Sequence, residues 1–217
     1  PIGYIIVYLK NGVNMSIIKI YNESLKVSKD IAKEGVDPVR SSRRTDIMNL
    51  HMVEYLKTIF KGPKFSFKCE EKVTCSRGKK FKIDVVIYRD GKQFVLVLLK
   101  AIQSSYNKNR FNYANTTMGE TSRIYDLSHT PQNLHSVWID WVPNTVPNYN
   151  NQKELLSMET TNPCDLTLPQ KRWNMFLKSC GSSIYYSKIT FDCNFKSITT
   201  SKVKGEKALR NYLEALV

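Results

Sequence analysis

The chain is poor in the residues from which zinc, thiol and nucleotide sites are commonly built. It has three histidines, and the segment His51-Met-Val-Glu54 lacks the second histidine of a zinc-protease helix. Its five cysteines form no CxxC pair, and the spacing of Cys69 and Cys75 does not suit a zinc knuckle. There is no serine or cysteine nucleophile signature and no glycine-rich phosphate loop. These absences argue against a zinc protease, a serine or cysteine hydrolase and a P-loop nucleotide enzyme.

Long apolar runs are also absent. No stretch approaches the roughly 20 apolar residues needed to span a bilayer, so we expect no membrane segment. No segment resembles a signal peptide, and an odd number of cysteines favours reduced thiols. We therefore expect a cytoplasmic protein. Residues 1–14, which precede Met15, can be read as an extension of the domain.

Acidic residues are scarce relative to basic ones. There are 33 Lys and Arg against 19 Asp and Glu, which gives a formal charge of +14. Such an excess suits a polyanionic partner, because each cation placed on a phosphate releases a condensed counterion. The alternative is a basic surface with no nucleic-acid role. With 217 residues, 41% of them hydrophobic, the chain is long and apolar enough for a single globular domain over residues 1–217.

The pattern of apolar residues predicts a mixed sheet flanked by helices, in an α/β or α+β domain. Thr45 is predicted to cap the second helix, and Gly35 and Gly62 to end the first and second. Polar, Asn-rich loops are predicted at 103–116 and 143–151. The predicted helices are 24–33, 45–60, 117–127, 170–179 and 206–216, and the predicted strands are 64–69, 72–75, 80–89, 93–102, 135–142 and 183–191.

Two of these strands form the most informative part of the sequence. Asp90-Gly91 lies between two runs of β-branched and aromatic residues, which is a strong signal for a tight hairpin. Lys100 ends an otherwise apolar strand, where a cation is costly unless it meets an anion. The nearest candidate carboxylate is Asp84 on the neighbouring strand. We predict that Asp84 and Lys100 lie on adjacent antiparallel strands and face a common cleft.

An Asp, a hairpin and a Lys on the next strand resemble the core of the PD-(D/E)xK nuclease superfamily, which includes many restriction endonucleases. The resemblance covers roughly residues 45–125. It implies a restriction-endonuclease-like fold, Mg²⁺ as cofactor and duplex DNA as partner. Asp84 would hold the metal and Lys100 would orient the attacking water. A homodimer is implied if both strands are cut, because symmetric sites favour symmetric readers.

The sequence departs from the family at the second acid. The family places an acidic residue two positions before the lysine, and Leu98 stands there. Glu120, after the hairpin, and Glu54, before the sheet, are equal candidates to replace it, with Glu120 as a metal ligand; Glu71 ranks third. Glu70 and Glu71 are expected to face solvent at a strand junction. Three other interpretations remain open: an ordinary ion pair between Asp84 and Lys100, an inactive nuclease fold that still binds DNA, and an RNA-directed nuclease or RNA-binding protein.

Candidate nucleic-acid contacts lie before the second helix and after the hairpin. Arginine and lysine can neutralise phosphates, and an aromatic ring can stack on an exposed base. The alternative is a surface segment with no ligand. The candidates are Arg40, Arg43, Arg44, Tyr106, Lys108, Arg110 and Arg123.

Overall fold

The described part of the chain is built around one mixed β-sheet. A computed structural model describes residues 15–35, 42–74, 80–124, 133–150, 154–161 and 184–217. The helices are α1 (Ile17–Lys33), α2 (Ser42–Lys57), α3 (Tyr106–Ile124) and α4 (Glu206–Glu214). The strands are β1 (Phe65–Thr74), β2 (Lys80–Arg89), β3 (Lys92–Ala101), β4 (His135–Pro143), β5 (Thr145–Tyr149), β6 (Leu155–Thr160), β7 (Ile184–Asn194) and β8 (Thr199–Lys204).

The main sheet has six strands in the order β1-β2-β3-β4-β7-β8. The first three strands are an antiparallel meander, whereas β3, β4 and β7 run parallel to one another. Strand β8 returns antiparallel to β7, and β5 and β6 form a separate two-stranded sheet. The predicted fold class is therefore confirmed as α+β, with a central mixed sheet flanked by helices.

Side-chain alternation along the central strands divides the core between the two faces of the sheet. On β3, Val95 and Val97 belong to a large apolar cluster that also contains residues of α1, α2 and α4. Leu96 and Leu98 belong to a second cluster on the other face, together with Trp138 of β4. The second face is the one that carries the polar groups described below.

The predicted hairpin is confirmed. Asp90 and Gly91 both have positive φ, +52° and +75°, and they join β2 to β3 as a two-residue turn. This conformation follows the right-handed twist of the flanking strands, and Asn or Asp followed by Gly adopts it most easily.

The prediction of a loop over 103–116 is wrong, because α3 begins at Tyr106. Its Asn-rich first half has low helix propensity, but packing of one helix face outweighs propensity. Tyr106 and Thr121 are fully buried, and Ile124 is 7% exposed.

Three other boundaries differ from the prediction. Helix α1 begins at Ile17 rather than at residue 24, because Ile17, Ile20 and Tyr21 are fully buried and extend its apolar face. Helix α2 begins at Ser42, so Thr45 lies inside it and is not its cap. The predicted loop at 143–151 contains β5, which β6 stabilises by pairing.

The predicted strands 64–69 and 72–75 form the single strand β1, which changes conformation at Glu70, where φ is +55°. The predicted strands at 135–142 and 183–191 are confirmed as β4 and β7, and the predicted C-terminal helix as α4. The predicted helix at 170–179 lies outside the described residues. Among the helices described, none is long and apolar enough to cross a membrane.

Candidate active site

The site lies where the ladder between β2 and β3 ends. The last paired residues at this end are Val85 and Val97. Beyond this pair, the Asp84 side chain replaces the backbone of β2 as the hydrogen-bond acceptor. Its Oδ2 accepts a hydrogen bond of 2.8 Å from the Leu99 backbone N–H. The carboxylate thus satisfies a strand donor that no carbonyl of β2 reaches. Because β2 and β3 are no longer paired beyond Val85 and Val97, a cleft opens there, and the hydrogen bond to Leu99 holds Asp84 at its edge.

Asp84 and Lys100 line this cleft together, which confirms the prediction that they face a common space from adjacent antiparallel strands. The cleft has a volume of about 490 Å³. Its other charged lining residues are Arg44 from α2, Lys82 from β2 and Glu120 from α3. Two carboxylates and three cations therefore meet in one concave site.

Glu120 is the predicted replacement acid that the fold brings to the site. Its Oε2 lies 3.8 Å from Lys100 Nζ, and the two side chains are only 22% and 28% exposed. Glu54 is not among the described residues that line the cleft. It lies further along α2 and pairs with Lys57 at 2.7 Å, so its role as a replacement acid has no support from the geometry.

Leu98 occupies a packed position on the same face. It is 2% exposed and belongs to the apolar cluster that contains Trp138. Both side chains also contribute to the lining of the cleft. At the position where the PD-(D/E)xK family has its second acid, this chain therefore has Leu98, which forms part of an apolar wall of the cleft.

The environment of Asp84 disfavours its ionised form. The pKa of this carboxyl is raised to about 6, chiefly by burial and to a smaller extent by the neighbouring Glu120 and Glu70. The Leu99 N–H and the Lys100 ammonium oppose this shift by stabilising the charged form. A cation bound here would relieve the same penalty.

Glu70 lies closer to the site than its sequence position suggested. Cys69 pairs with Val85 and Glu71 with Ile83, so Glu70 lies across from Asp84 on the neighbouring strand. Its carboxylate pairs with Lys82 at 2.7 Å. The sequence suggested a solvent-facing residue at a strand junction, whereas its side chain is 35% exposed in the continuous strand.

Asp140 is a residue that the sequence reasoning missed. It lies on β4 beside Lys100, and its Oδ2 accepts a hydrogen bond of 2.6 Å from the Tyr186 hydroxyl. The pKa of Asp140 is raised to about 6, chiefly by burial and also by Glu120, although the Tyr186 hydrogen bond, Lys100 and Lys188 act in the opposite direction. An acid between two tryptophans in an apolar strand, Trp-Ile-Asp-Trp, was the signal that could have found it.

Three of the predicted phosphate contacts have described side chains that solvent reaches: Arg43, Arg44 and Lys108. Arg44 lines the cleft, and its Nη1 donates to Gln103 Oε1 at 3.5 Å. Lys108 is exposed on α3. Arg43 pairs with Glu34 on the surface, which occupies its guanidinium in this structure.

The prediction that Tyr106 stacks on a base is wrong for this conformation. Its ring is fully buried and packs with Ile102, Val142 and Val146. Arg40 lies outside the described residues, and so do the side chains of Arg110 and Arg123, whose backbones belong to α3.

The residues present can be tested for their fit to Mg²⁺. Within the described ranges, no group of three or more His, Cys, Asp and Glu side chains is arranged to hold a metal ion. Magnesium usually keeps several waters and binds through one or two carboxylates. Asp84 and Glu120, which line one cleft, meet that smaller requirement.

Comparison of the chain with protein-family models, curated proteins and solved structures finds no match.

Proposed function

We propose that this protein is a Mg²⁺-dependent endonuclease with a restriction-endonuclease-like core, and that it hydrolyses phosphodiester bonds in DNA. The observation that carries the proposal is the meeting of Asp84, Lys100 and Glu120 in one cleft from two adjacent strands and a helix. The chain would then be a PD-(D/E)xK-like nuclease whose second acid comes from α3 instead of β3.

Each of the three residues has a distinct role in this proposal. Asp84 and Glu120 would hold the ion, which when bound polarises a phosphoryl oxygen and activates water. Lys100 would orient the attacking water or face a phosphoryl oxygen, because it lines the same cleft as the two acids and its ammonium lies 3.8 Å from Glu120. Arg44, on the α2 side of the cleft, is placed to contact the DNA backbone.

The charge of the chain supports this activity, and its free thiols support a reducing compartment. The formal charge of +14 supports a polyanionic partner. We place the activity in the cytoplasm, where thiols stay reduced; Cys69 and Cys193 are both free in the structure. A two-fold dimer would form if both strands of a symmetric site are cut.

The test is a cleavage assay on plasmid DNA and on structured RNA, with and without Mg²⁺. We expect DNA cleavage that needs the metal, and Asp84→Asn and Lys100→Met should each reduce it by about a hundredfold or more. Glu120→Gln should behave in the same way, whereas the matched control Glu54→Gln should cut normally because Glu54 pairs with Lys57 away from the cleft. Cutting that survives Asp84→Asn would place the chemistry elsewhere, and cutting confined to RNA would change the substrate class.

A second candidate function is favoured by the packing of Leu98. Because this side chain is buried beside Trp138, the site could have lost its nuclease activity and retained DNA binding. In that case the protein binds duplex DNA at low salt but cuts neither DNA nor RNA with Mg²⁺. A DNA-binding titration at low salt, run beside the cleavage assay, therefore separates the two proposals, because binding without cleavage supports only the second.

A further inference from the structure

Asp140 is a half-buried acid whose two oxygens have unequal environments. Oδ2 accepts a hydrogen bond of 2.6 Å from the Tyr186 hydroxyl. Oδ1 is inaccessible to solvent and has no hydrogen-bond partner in the part of the chain that the structure describes. Burying an anionic oxygen without a donor is costly, and a plain leucine or valine would avoid that cost. The acid therefore needs a compensating interaction.

The strand register supplies that interaction in the form of two flanking cations. Asp140 of β4 pairs with Lys100 of β3 on one side and with Lys188 of β7 on the other. Residues in register on neighbouring strands project from the same face, roughly 5 Å apart. Both ammonium groups stabilise the ionised Asp140 carboxylate. The acid thus lies between two lysines, in the sheet behind the cleft.

Lys100 in turn lies between two acids. Glu120 of α3 is on one side, at 3.8 Å, which is longer than a hydrogen bond. Asp140 is on the other side, along the sheet. A lysine side chain loses considerable rotamer entropy when it is held in one direction. Opposite charges in fixed positions around the Lys100 ammonium are therefore needed to offset that loss. Tyr186 holds Asp140 in place.

We propose that Asp140 is a positioning residue on β4 that holds the Lys100 ammonium over the cleft, in addition to Glu120, which replaces the missing metal ligand. This role in catalysis rests on the proposed nuclease function. Trp138, which lies beside Leu98 in the register, is apolar. Asp140 is accordingly the acid that β4 places next to Lys100.

The first experiment does not depend on nuclease activity. Unfolding by urea is measured for Asp140→Asn, Lys100→Met and the double variant. We expect coupling of about tenfold or more in the unfolding equilibrium constant, because each single variant removes one of the two opposite charges that flank the remaining residue. Additive effects would overturn the proposal, and so would coupling of Asp140 to Lys188 alone in the parallel cycle with Lys188→Met.

The second experiment tests the catalytic consequence. Asp140→Asn should lower kcat by about tenfold to a hundredfold and leave KM unchanged, and Asp140→Glu should recover part of the loss. Lys188→Met, the matched control on the other side of Asp140, should stay within about twofold of wild type. An unchanged kcat in Asp140→Asn would overturn the positioning role. A wild type that does not cut refutes the proposed function instead, and the unfolding cycle then still decides the inference.

If Asp140→Asn does not fold, Tyr186→Phe replaces it in both experiments. This change removes the hydroxyl that fixes Asp140 Oδ2. The order of the Lys100 side chain, measured by NMR on lysine-labelled protein, should then fall. Retained order of Lys100 in Tyr186→Phe would overturn the proposal.

Discussion

Replacing Asp84 by Asn should stabilise the protein while it abolishes activity. Burial raises the pKa of Asp84 from 3.8 to about 6, so the folded state holds this proton more tightly than the unfolded chain. Ionisation of Asp84 therefore costs stability above about pH 6, and the cost disappears as the pH falls towards 4. At about 1.36 kcal/mol per pKa unit, the full cost is about 3 kcal/mol at neutral pH.

Asparagine removes the charge and keeps an oxygen that can accept the Leu99 N–H. Its amide group is imperfectly satisfied in the same place, so we expect a net gain of about 1–3 kcal/mol at pH 8. The gain should shrink to near zero at pH 4.5. Asp140, whose pKa is also raised, is present in both proteins and cancels in the comparison.

The assay is urea unfolding of wild type and Asp84→Asn at the two pH values, with a chelator present to remove divalent cations. The matched control is Asp30→Asn, an exposed carboxylate on α1, which should change stability by less than about 0.5 kcal/mol. A gain of equal size at both pH values would refute the reasoning. If Asp84→Asn were less stable than wild type at pH 8, the environment of Asp84 would favour its ionised form.

Three further predictions concern Leu98 and Arg44, which line the cleft, and Gly205 at the start of α4. Leu98→Glu buries a carboxylate and should lower the free energy of unfolding, measured in urea, by roughly 2–4 kcal/mol. If Leu98 disables the site, the variant should also gain Mg²⁺-dependent cleavage. A variant that stays inactive would contradict the view that Leu98 disables the site. Arg44→Glu should weaken DNA binding equally for all sequences and reduce the slope of log affinity against log salt by about one, as titrations at several salt concentrations would show; an unchanged slope would exclude a phosphate contact. Gly205→Ala should lower the free energy of unfolding by about 2 kcal/mol or more, because φ is +97° and an added Cβ would overlap the Lys188 carbonyl oxygen; wild-type stability would contradict this.

The sequence predicted the hairpin and the cleft pair because both depend on short-range rules. Asp90-Gly91 determines the turn, and alternation then determines which side chains share a face. Asp84 and Lys100 could be placed together on that basis. Their approach needs no information from distant parts of the chain.

The parts that sequence reasoning missed depend on long-range packing. Asp140 meets Lys100 through the parallel pairing of β3 with β4, which no local pattern specifies. Tyr106 looked like an exposed ring in a polar loop, but packing against Val142 and Val146 places it in the core. Tertiary contacts of this kind override propensity.

The two kinds of strand pairing also differ in the stage of folding at which we expect them to form. The meander β1-β2-β3 joins neighbours in sequence, whereas β3 meets β4 through residues as distant as 95 and 135, and β4 meets β7 through 136 and 184. Closing long loops costs entropy before any contact is gained, so we expect the parallel pairings to form late in folding. The contact between Asp84 and the Leu99 N–H belongs to the meander, which is expected to form early, and the pairing of Lys100 with Asp140 belongs to the later parallel pairing.

Local opening of the β3–β4 boundary would then separate Asp140 from Lys100 without unfolding the hairpin. We expect amide hydrogen exchange to be faster along that boundary than within the meander.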